Sequence, residues 1–353
     1  MTPKSILLII NPVSGRMKSK TGLFEILDEL YRRDAMVANT PAFPSASAPG
    51  ADTPEEAATT PAYGRVTPHT LGGDIDPDRR VTVVPTMYRG HASQLAAASA
   101  QGGYDTVICC GGDGTLNETV SGLLKIPAED RPQIGYIPAG STNDFAASLG
   151  LPTTLRGAAR VAVSPEEIPL DLGVFYPIGQ TNMPTRNFSY IASFGIFTAA
   201  SYSTAQSAKN VLGRLAYFFE GIKDLANIHP NHASFVLNNG TVLEGDYVFG
   251  AVSNTTSAGG IFKLPAGEVS VSDGELEVFL VHNPRTPADL TKIVTALMSG
   301  NFANCPLIEL HHITSVDVHL DKPLSWSLDG EEAQGGTDIH ISCLPAAVHF
   351  KKK

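Results

Sequence analysis

The feature that most constrains the fold of this chain is an apolar run that leads directly into a glycine-rich turn. Residues 107–110 (Val-Ile-Cys-Cys) favour a buried strand, and residues 111–115 (Gly-Gly-Asp-Gly-Thr) follow at once. An amphipathic run with helical spacing, residues 116–124, comes next. Glycines let backbone N–H groups approach an anion closely, and a helix N-terminus carries the positive end of the helix dipole. The order of strand, turn and helix therefore predicts a phosphate-binding loop, although an ordinary tight turn is compatible with the same residues.

Similar junctions of a strand with a loop of small residues occur elsewhere in the first half of the chain. Residues 5–10 favour a buried strand that ends in Asn-Pro-Val-Ser-Gly, and a helix is predicted at about 20–33. Strands are also predicted at 81–85, before Thr86 and an Ala-rich helix, and at 134–137, before Pro-Ala-Gly-Ser-Thr-Asn-Asp-Phe-Ala. In open α/β sheets the carboxyl ends of parallel strands share one edge, where ligands bind. The pattern predicts an α/β domain with a parallel sheet.

The second half of the chain changes from alternating strands and helices to mostly strands. Two helices interrupt it, at about 208–228 and 288–298, and the strands are predicted at 169–174, 187–192, 233–237, 242–253, 275–282 and 313–320. We predict a mainly antiparallel β domain over residues 166–345. The α/β domain would then comprise residues 1–165, with 346–353 returning to it. Within it, residues 40–80 are rich in Pro, Ala, Ser, Thr and Gly, and we expect a flexible insertion there.

Composition excludes several classes of function. The formal net charge is −10, which argues against nucleic acid as a partner. The four cysteines lack metal-ligand spacing, and Cys109 and Cys110 lie in the predicted buried strand, which favours a reducing compartment. No stretch approaches the roughly 18 apolar residues of a membrane span, so we expect a cytoplasmic protein with at most peripheral membrane contact. The lysines at residues 351–353 are expected to form a solvated tail.

Several carboxylates of the second half lie at predicted turns. They are Asp171 in Leu-Asp-Leu-Gly, Asp273 in Ser-Asp-Gly-Glu, and Asp329 with Glu331 in Asp-Gly-Glu. Each Asp-Gly pair taken alone is typical of a hairpin turn.

Taken together, these segments resemble the diacylglycerol kinase catalytic-domain family, which includes bacterial soluble lipid kinases and sphingosine kinases. The matching segments appear in the family's order over nearly the whole chain: residues 11–15, Thr86 with 90–92, 111–118, 138–146, 273–276 and 329–331. Gly-Gly-Asp-Gly-Thr alone is shared with NAD kinases and phosphofructokinase-like enzymes. The Thr-Asn-Asp-Phe-Ala segment and the late Asp-Gly-Glu make the resemblance more specific.

The resemblance implies a nucleotide-binding α/β domain, a β-rich lipid domain and phosphorylation of a lipid hydroxyl by ATP. Glu331 would be the proton acceptor, and Asp113, Asp144 and Asp171 are catalytic candidates that could hold Mg²⁺ through oxygen ligands. Which carboxylate is the base and which binds metal stays open at this point. Asp273, with the carbonyls of Ser270 and Glu275, would hold a structural Mg²⁺. The implied ATP-binding residues are Asn11, Pro12, Val13, Ser14, Gly15, Thr86, Gly111, Gly112, Asp113, Gly114, Thr115, Leu116, Asn117, Ser141 (where the family usually has Thr) and Asn143.

The expected partners follow from this interpretation. The substrate would be diacylglycerol or a related lipid alcohol, and residues 212–219 are the best stretch for an amphipathic element in contact with a membrane. A homodimer is also compatible with the sequence. The alternatives are a kinase of NAD or another small molecule that shares the glycine loop, and a non-catalytic regulator that binds lipid or nucleotide.

Overall fold

The computed structural model describes residues 4–32, 78–141, 143–196, 229–255, 257–258, 262–263 and 270–352. The chain divides into two compact units, Met1–Pro169 with Ala347–Lys353 (unit 1) and Leu170–Ala346 (unit 2). The predicted helix at 208–228, the membrane-contact stretch 212–219 and most of the predicted insertion 40–80 lie outside the described residues.

The strands of the described chain alternate with helices in unit 1 and follow one another in unit 2. In order they are β1 (Ser5–Ile10), β2 (Arg80–Pro85), β3 (Thr106–Gly111), β4 (Gln133–Pro138), β5 (Glu167–Pro177), β6 (Arg186–Phe188), β7 (Ile191–Gly195), β8 (Asn231–Leu237), β9 (Val242–Ser253), β10 (Ser257–Ala258), β11 (Phe262–Lys263), β12 (Leu276–His282), β13 (Ile308–Ile313), β14 (Ser315–Leu320), β15 (Ser325–Leu328), β16 (Glu331–Gln334) and β17 (Asp338–Lys351). The α-helices are α1 (Lys18–Thr21), α2 (Leu23–Tyr31), α3 (His91–Ala97), α4 (Asp113–Leu123), α5 (Asp144–Ser148), α6 (Leu155–Ala162) and α7 (Pro287–Ser299).

The sheet of unit 1 is parallel, with the strand order β4-β3-β1-β2 and the end of β17 beside β4. Every residue of β1 and β3 is buried, as expected for central strands that are covered on both faces. Ile26, Leu27 and Leu30 of α2 pack into one core cluster with residues of β1, β2 and α6. The predicted α/β domain with a parallel sheet is confirmed, and the helix predicted at 20–33 is the observed α2 with α1 before it.

The strand pairs of unit 2 are antiparallel, which confirms the predicted β-rich second half. From β16 the order runs through β15, β7, β9, β8 and β14 to β17, and β12 pairs with both β9 and β13. The core is aromatic: the Trp326 ring lies 5.3 Å from that of Phe175 and 4.9 Å from that of Phe194. Helix α7 matches the prediction at 288–298 and begins with a capping box formed by Thr286 and Asp289.

The expectation of a solvated lysine tail is wrong for Lys351. This residue is fully buried at the end of β17, and its Nζ lies 3.7 Å from the Glu167 carboxylate. The cause is tertiary, because Phe350 of the same strand pairs with Ile134 of β4 and packs edge-on against Phe145. Burial lowers the pKa of Lys351, and the nearby Glu167 opposes that shift.

No helix within the described ranges combines the length and the apolar character that crossing a bilayer requires.

Candidate functional site

The carboxyl ends of β1, β3 and β4 are joined by backbone hydrogen bonds into one continuous edge. The amide of Asn11 donates to the carbonyl of Cys110 (2.8 Å), and the amides of Ala139 and Gly140 donate to the carbonyl of Gly111 (2.8 and 3.1 Å). The three predicted loops therefore begin side by side. Their order follows from the strand order, with the glycine loop in the middle.

Glycine is required where these loops touch. A Cβ on Gly15, whose φ is +52°, would lie 1.9 Å from the carbonyl oxygen of Ala139. A Cβ on Gly140 would lie 2.5 Å from Cα of Gly112 and 2.6 Å from Oδ1 of Asn143. The backbones approach each other so closely that no larger residue fits, and main-chain groups rather than side chains line this part of the edge.

Helix α4 starts at this edge with Asp113 as its first residue, so the N–H groups of its first turn have no acceptor within the helix. The side chain of Asn11 donates from Nδ2 to Oγ1 of Thr115 (3.0 Å) and accepts from the amide of Val13 (3.2 Å). The side-chain amide of Asn11 therefore connects the loop after β1 to α4, the helix that follows the glycine loop. The arrangement suits an anion held by backbone N–H groups.

The Asp113 carboxylate joins the glycine loop to the loop after β4. It accepts from the amides of Asp144 (3.1 Å) and Phe145 (3.4 Å) at the start of α5. Asn143, left-handed at φ 54°, accepts at Oδ1 from the amide of Gly140 (2.9 Å) and returns a bond from Nδ2 to the carbonyl of Gly140 (3.0 Å). Asp113 and Asn143 thus have internal roles in shaping this edge.

The loop after β2 is fixed to the same edge. The Thr86 amide donates to the carbonyl of Ile10 (2.8 Å), and the Gly90 amide donates to Oε1 of Glu118 on α4 (2.8 Å). His91 is buried, and its Nδ1 accepts from the amide of Met87 (3.1 Å). Burial lowers the pKa of His91, so the neutral form that can accept this bond is favoured.

The remaining predicted nucleotide residues differ in what they offer a ligand. Leu116 is buried in α4, so its side chain belongs to the core and its backbone alone is available. Val13 is 76% exposed, and Ser141 is exposed as well. Pro12, Ser14, Gly114 and Asn117 are half-buried along the edge.

In unit 2, Asp329 and Gly330 form the two-residue turn between β15 and β16. Both have positive φ (51° and 83°), which is the type I′ hairpin geometry that Asp-Gly favours, and Leu328 pairs with Glu331 across the turn. The Asp329 side chain is buried and accepts from three consecutive amides, those of Ser189 (2.6 Å), Tyr190 (3.0 Å) and Ile191 (3.1 Å). The hairpin is therefore anchored to the start of β7.

Glu331 follows this anchored turn and has a cationic neighbour. Nη2 of Arg186 on β6 lies 3.6 Å from the Glu331 carboxylate, and Nη1 of Arg186 donates to the carbonyl of Glu332 (2.7 Å). The Glu331 side chain is 31% exposed, so its carboxylate is accessible to a ligand. Arg186 was not predicted from the sequence, because a lone arginine in a short strand carries no local signal for this contact.

Asp171 is buried, and backbone donors occupy both of its carboxylate oxygens. Oδ2 accepts from the amide of Gly274 (2.6 Å), and Oδ1 accepts from the amide of Ala346 (2.7 Å). The structure thus brings Asp171 to the predicted metal loop at 270–275 within unit 2.

The predicted metal loop is built from short turns. Asp273 is exposed, and its Oδ1 accepts from the amide of Glu275 (3.1 Å), while Oγ of Ser270 accepts from the amide of Ser272 (3.3 Å). Within the described ranges, no group of three or more His, Cys, Asp or Glu side chains could hold a metal ion. The predicted set needs one carboxylate and two carbonyls, and oxygen donors of this kind suit Mg²⁺ with water completing its shell.

An α/β unit whose glycine-lined edge suits a phosphate, followed by an antiparallel β unit, fits an enzyme that transfers phosphate. The model of the diacylglycerol kinase catalytic domain matches residues 67–175, and that of the YegS C-terminal NAD kinase beta sandwich-like domain matches residues 191–351. The chain is 32% identical over 247 residues to the diacylglycerol kinase of Bacillus subtilis (strain 168). This match covers 70% of this chain and 77% of the relative. It is 29% identical over 246 residues to the diacylglycerol kinase of Staphylococcus haemolyticus, a match that covers 70% of this chain and 71% of that relative.

The chain belongs to the diacylglycerol kinase catalytic-domain family, as the sequence motifs predicted, and it is a kinase that phosphorylates an alcohol. The crystal structure of a diacylglycerol kinase from Bacillus anthracis str. Sterne has the same fold, with a TM-score of 0.63 at 19% identity, covering 100% of this chain and 98% of that one. The two curated relatives, both diacylglycerol kinases, favour the lipid kinase over the alternatives of an NAD kinase-like enzyme and a non-catalytic regulator.

Proposed function

We propose that this protein transfers the γ-phosphate of ATP to the hydroxyl of diacylglycerol or a closely related lipid alcohol. Membership of the family supports the reaction class. The observation that carries the proposal is the mutual approach of Gly15, Gly112 and Gly140, which leaves an edge lined by backbone groups beside the N-terminus of α4. Phosphoryl transfer needs positioning and charge stabilisation more than covalent help from the protein, and such an edge provides both.

In this proposal ATP lies along the loops of unit 1. The first-turn amides of α4, from the glycine loop, hold the phosphates, and residues 11–15 with Ser141 and Asn143 enclose them. Asn11 acts through its bond to Thr115, which keeps the two loops in register. Thr86 lies at the end of β2, where its backbone is bonded to Ile10.

Asp113 and Asp144 are the carboxylates of unit 1 that we propose to face Mg²⁺·ATP. Mg²⁺ would supply charge neutralisation for the phosphates. Asp113 has a second task that follows from its contacts, because its bonds to the amides of Asp144 and Phe145 hold α5 against the glycine loop. Ser270, Asp273 and Glu275 remain the proposed ligands of a structural Mg²⁺ in unit 2, with Asp171 fixing the backbone of that loop at Gly274.

Glu331 is the proposed general base. It would accept the proton of the lipid hydroxyl as that oxygen attacks the γ-phosphorus of ATP and the bond to the β,γ-bridging oxygen breaks, with ADP leaving. The anchored turn at Asp329 and the guanidinium of Arg186 support the position of its carboxylate. A substrate of this kind resides in a bilayer, so peripheral contact with the cytoplasmic face of a membrane is part of the proposal.

The test is a phosphorylation assay with purified full-length protein, radiolabelled ATP, Mg²⁺ and a panel of lipid alcohols in mixed micelles, with NAD as a comparison substrate. We expect labelled phosphatidic acid from diacylglycerol and no labelled NADP. The Glu331→Gln variant should lower kcat at least about 100-fold while ATP affinity stays within about twofold. Phosphorylation of NAD with no lipid labelled would contradict the proposal, and an unchanged kcat in Glu331→Gln would remove Glu331 from the base role.

A further inference from the structure

The loop between β2 and α3, residues 86–90, is held in place by backbone hydrogen bonds. Backbone amides at three of its positions have defined acceptors: Thr86 donates to Ile10, Met87 donates to Nδ1 of His91, and Gly90 donates to Glu118. Glu118 lies in the second turn of α4, about 8 Å along the helix axis from Asp113. The loop therefore lies beside the helix whose N-terminus forms the proposed phosphate site.

An aromatic ring is held on this loop in one orientation. The ring of Tyr88 stacks on the imidazole of His91, with centroids 4.7 Å apart and planes at 16°, and its hydroxyl donates to Oε1 of Gln94 (2.6 Å). Tyr88 is nevertheless 56% exposed. One face of the ring is covered by His91, so the opposite face and the ring edge account for this exposure.

We propose that the exposed face of Tyr88 is the surface on which the adenine base of ATP stacks. The inference rests on the proposed nucleotide site and adds a residue that no sequence motif assigned. A base is separated from its phosphates by the ribose. The loop that carries Tyr88 is bonded through the Gly90 amide to Glu118 in the second turn of α4, which is a suitable reach from the first-turn amides. A purine offers a large π-face, and stacking on an aromatic side chain contributes to affinity without hydrogen bonds to the base edge.

His91 and Gln94 would then be positioning residues for the ring. Because one face and the hydroxyl are already engaged, little rotational freedom is lost when a base binds, which favours affinity. Stacking is tolerant of base identity, so this surface would bind guanine as well as adenine.

The test separates the base from the phosphates. Isothermal titration calorimetry on full-length protein with Mg²⁺ compares ATP with inorganic tripolyphosphate for the wild type, Tyr88→Ala, Tyr88→Phe and Tyr88→Trp. We expect Tyr88→Ala to weaken ATP binding about tenfold and to leave tripolyphosphate binding within about twofold. Tyr88→Phe and Tyr88→Trp, which keep a ring, should stay within about threefold of the wild type for ATP. Phe24→Ala is the matched control, since Phe24 is another exposed aromatic residue of unit 1 (80% exposed) outside the proposed site.

Two results would overturn the inference. One is an unchanged ATP affinity in Tyr88→Ala, and the other is an equal loss for ATP and tripolyphosphate, which would show that the ring only supports the loop. Failure of the proposed function has a different signature, because wild-type protein would then phosphorylate no lipid in the assay described above, whatever the effect of Tyr88→Ala on ATP binding.

Discussion

The guanidinium of Arg186 lies 3.6 Å from the carboxylate of Glu331 and binds the carbonyl of the next residue, Glu332, at 2.7 Å. One side chain of β6 therefore holds both the proposed base and the backbone of the strand that carries it. Because a guanidinium is planar and has several donors, it fixes the direction of a carboxylate better than a lysine ammonium can.

Replacing Arg186 should therefore affect turnover more than nucleotide binding. We expect Arg186→Met to lower kcat for diacylglycerol about tenfold, with KM for ATP changed less than about twofold, and Arg186→Lys to recover part of the loss. Steady-state kinetics with varied ATP and varied lipid measure kcat and KM for ATP separately. Wild-type kcat in Arg186→Met would mean that Glu331 needs no support from this contact.

Asp329 is predicted to be the main anchor of the same hairpin. Its carboxylate accepts from three amides, and an asparagine carbonyl in its place would keep only part of that acceptor capacity without the charge. We expect Asp329→Asn to lower the free energy of unfolding by about 2–3 kcal/mol in urea titrations. Asp317→Asn is the control, because Asp317 makes its bond to His340 at a 46% exposed position and should cost less than about 1 kcal/mol. Equal losses in the two variants would contradict the anchoring role.

Local sequence patterns predicted much of this architecture. The buried strands β1 and β3, the glycine turn and the Asp-Gly hairpin at Asp329 have short-range signals in apolar runs and turn residues, and the structure has each of them. Contacts that depend on distant partners have no such signal. Lys351 is buried because Phe350 packs on Phe145, and Arg186 of β6 meets Glu331 of β16 although β6 pairs with β5, which no local pattern encodes.

The close approach at Gly140 predicts a sharp effect of a single methyl group. A Cβ there would contact Cα of Gly112 at 2.5 Å, so Gly140→Ala must push the glycine loop out of place. We expect ATP affinity to fall more than about tenfold in calorimetry, while the protein remains folded by circular dichroism. Gly103→Ala is the matched control, since its Cβ would meet nothing within 4 Å and its left-handed φ of 68° imposes only backbone strain. Full ATP affinity in Gly140→Ala would argue against a nucleotide site at this edge.

The two roles of Asp113 can be separated by two substitutions. Asp113→Ala removes the acceptor for the amides of Asp144 and Phe145 and should cost about 1–2 kcal/mol of stability, whereas Asp113→Asn keeps one acceptor and should cost less. We expect both variants to lose at least about 100-fold in kcat, because both remove the charge proposed to face Mg²⁺·ATP. Urea unfolding measures the structural role of Asp113, and turnover measured on the same preparations measures its catalytic role. If Asp113→Asn retains wild-type kcat, the residue acts only through its bonds to the first amides of α5.

A carboxylate of unit 2, Glu309, is predicted to make stability depend on pH. Glu309 on β13 lies 2.5 Å from Nε2 of His282 and 3.4 Å from Nε2 of His311, and the bond to His282 is the first cause that holds the pKa of Glu309 below its ordinary value of 4.5. A carboxyl whose pKa is lowered on folding adds stability that is present above its unfolded pKa and is lost as pH falls through the folded value.

We expect Glu309→Gln to lower the free energy of unfolding by about 1–2 kcal/mol at pH 6.5. At about pH 3 it should change that free energy less, because this pH lies below the ordinary value of 4.5 and the stabilisation diminishes as pH falls from there toward the lowered folded pKa. Glu244→Gln serves as the control, since Glu244 is 65% exposed and lies 3.7 Å from His232, and it should have little effect at either pH. Urea titrations at the two pH values measure both differences, and an equal cost of Glu309→Gln at both would show that the contact does not depend on the charge of Glu309.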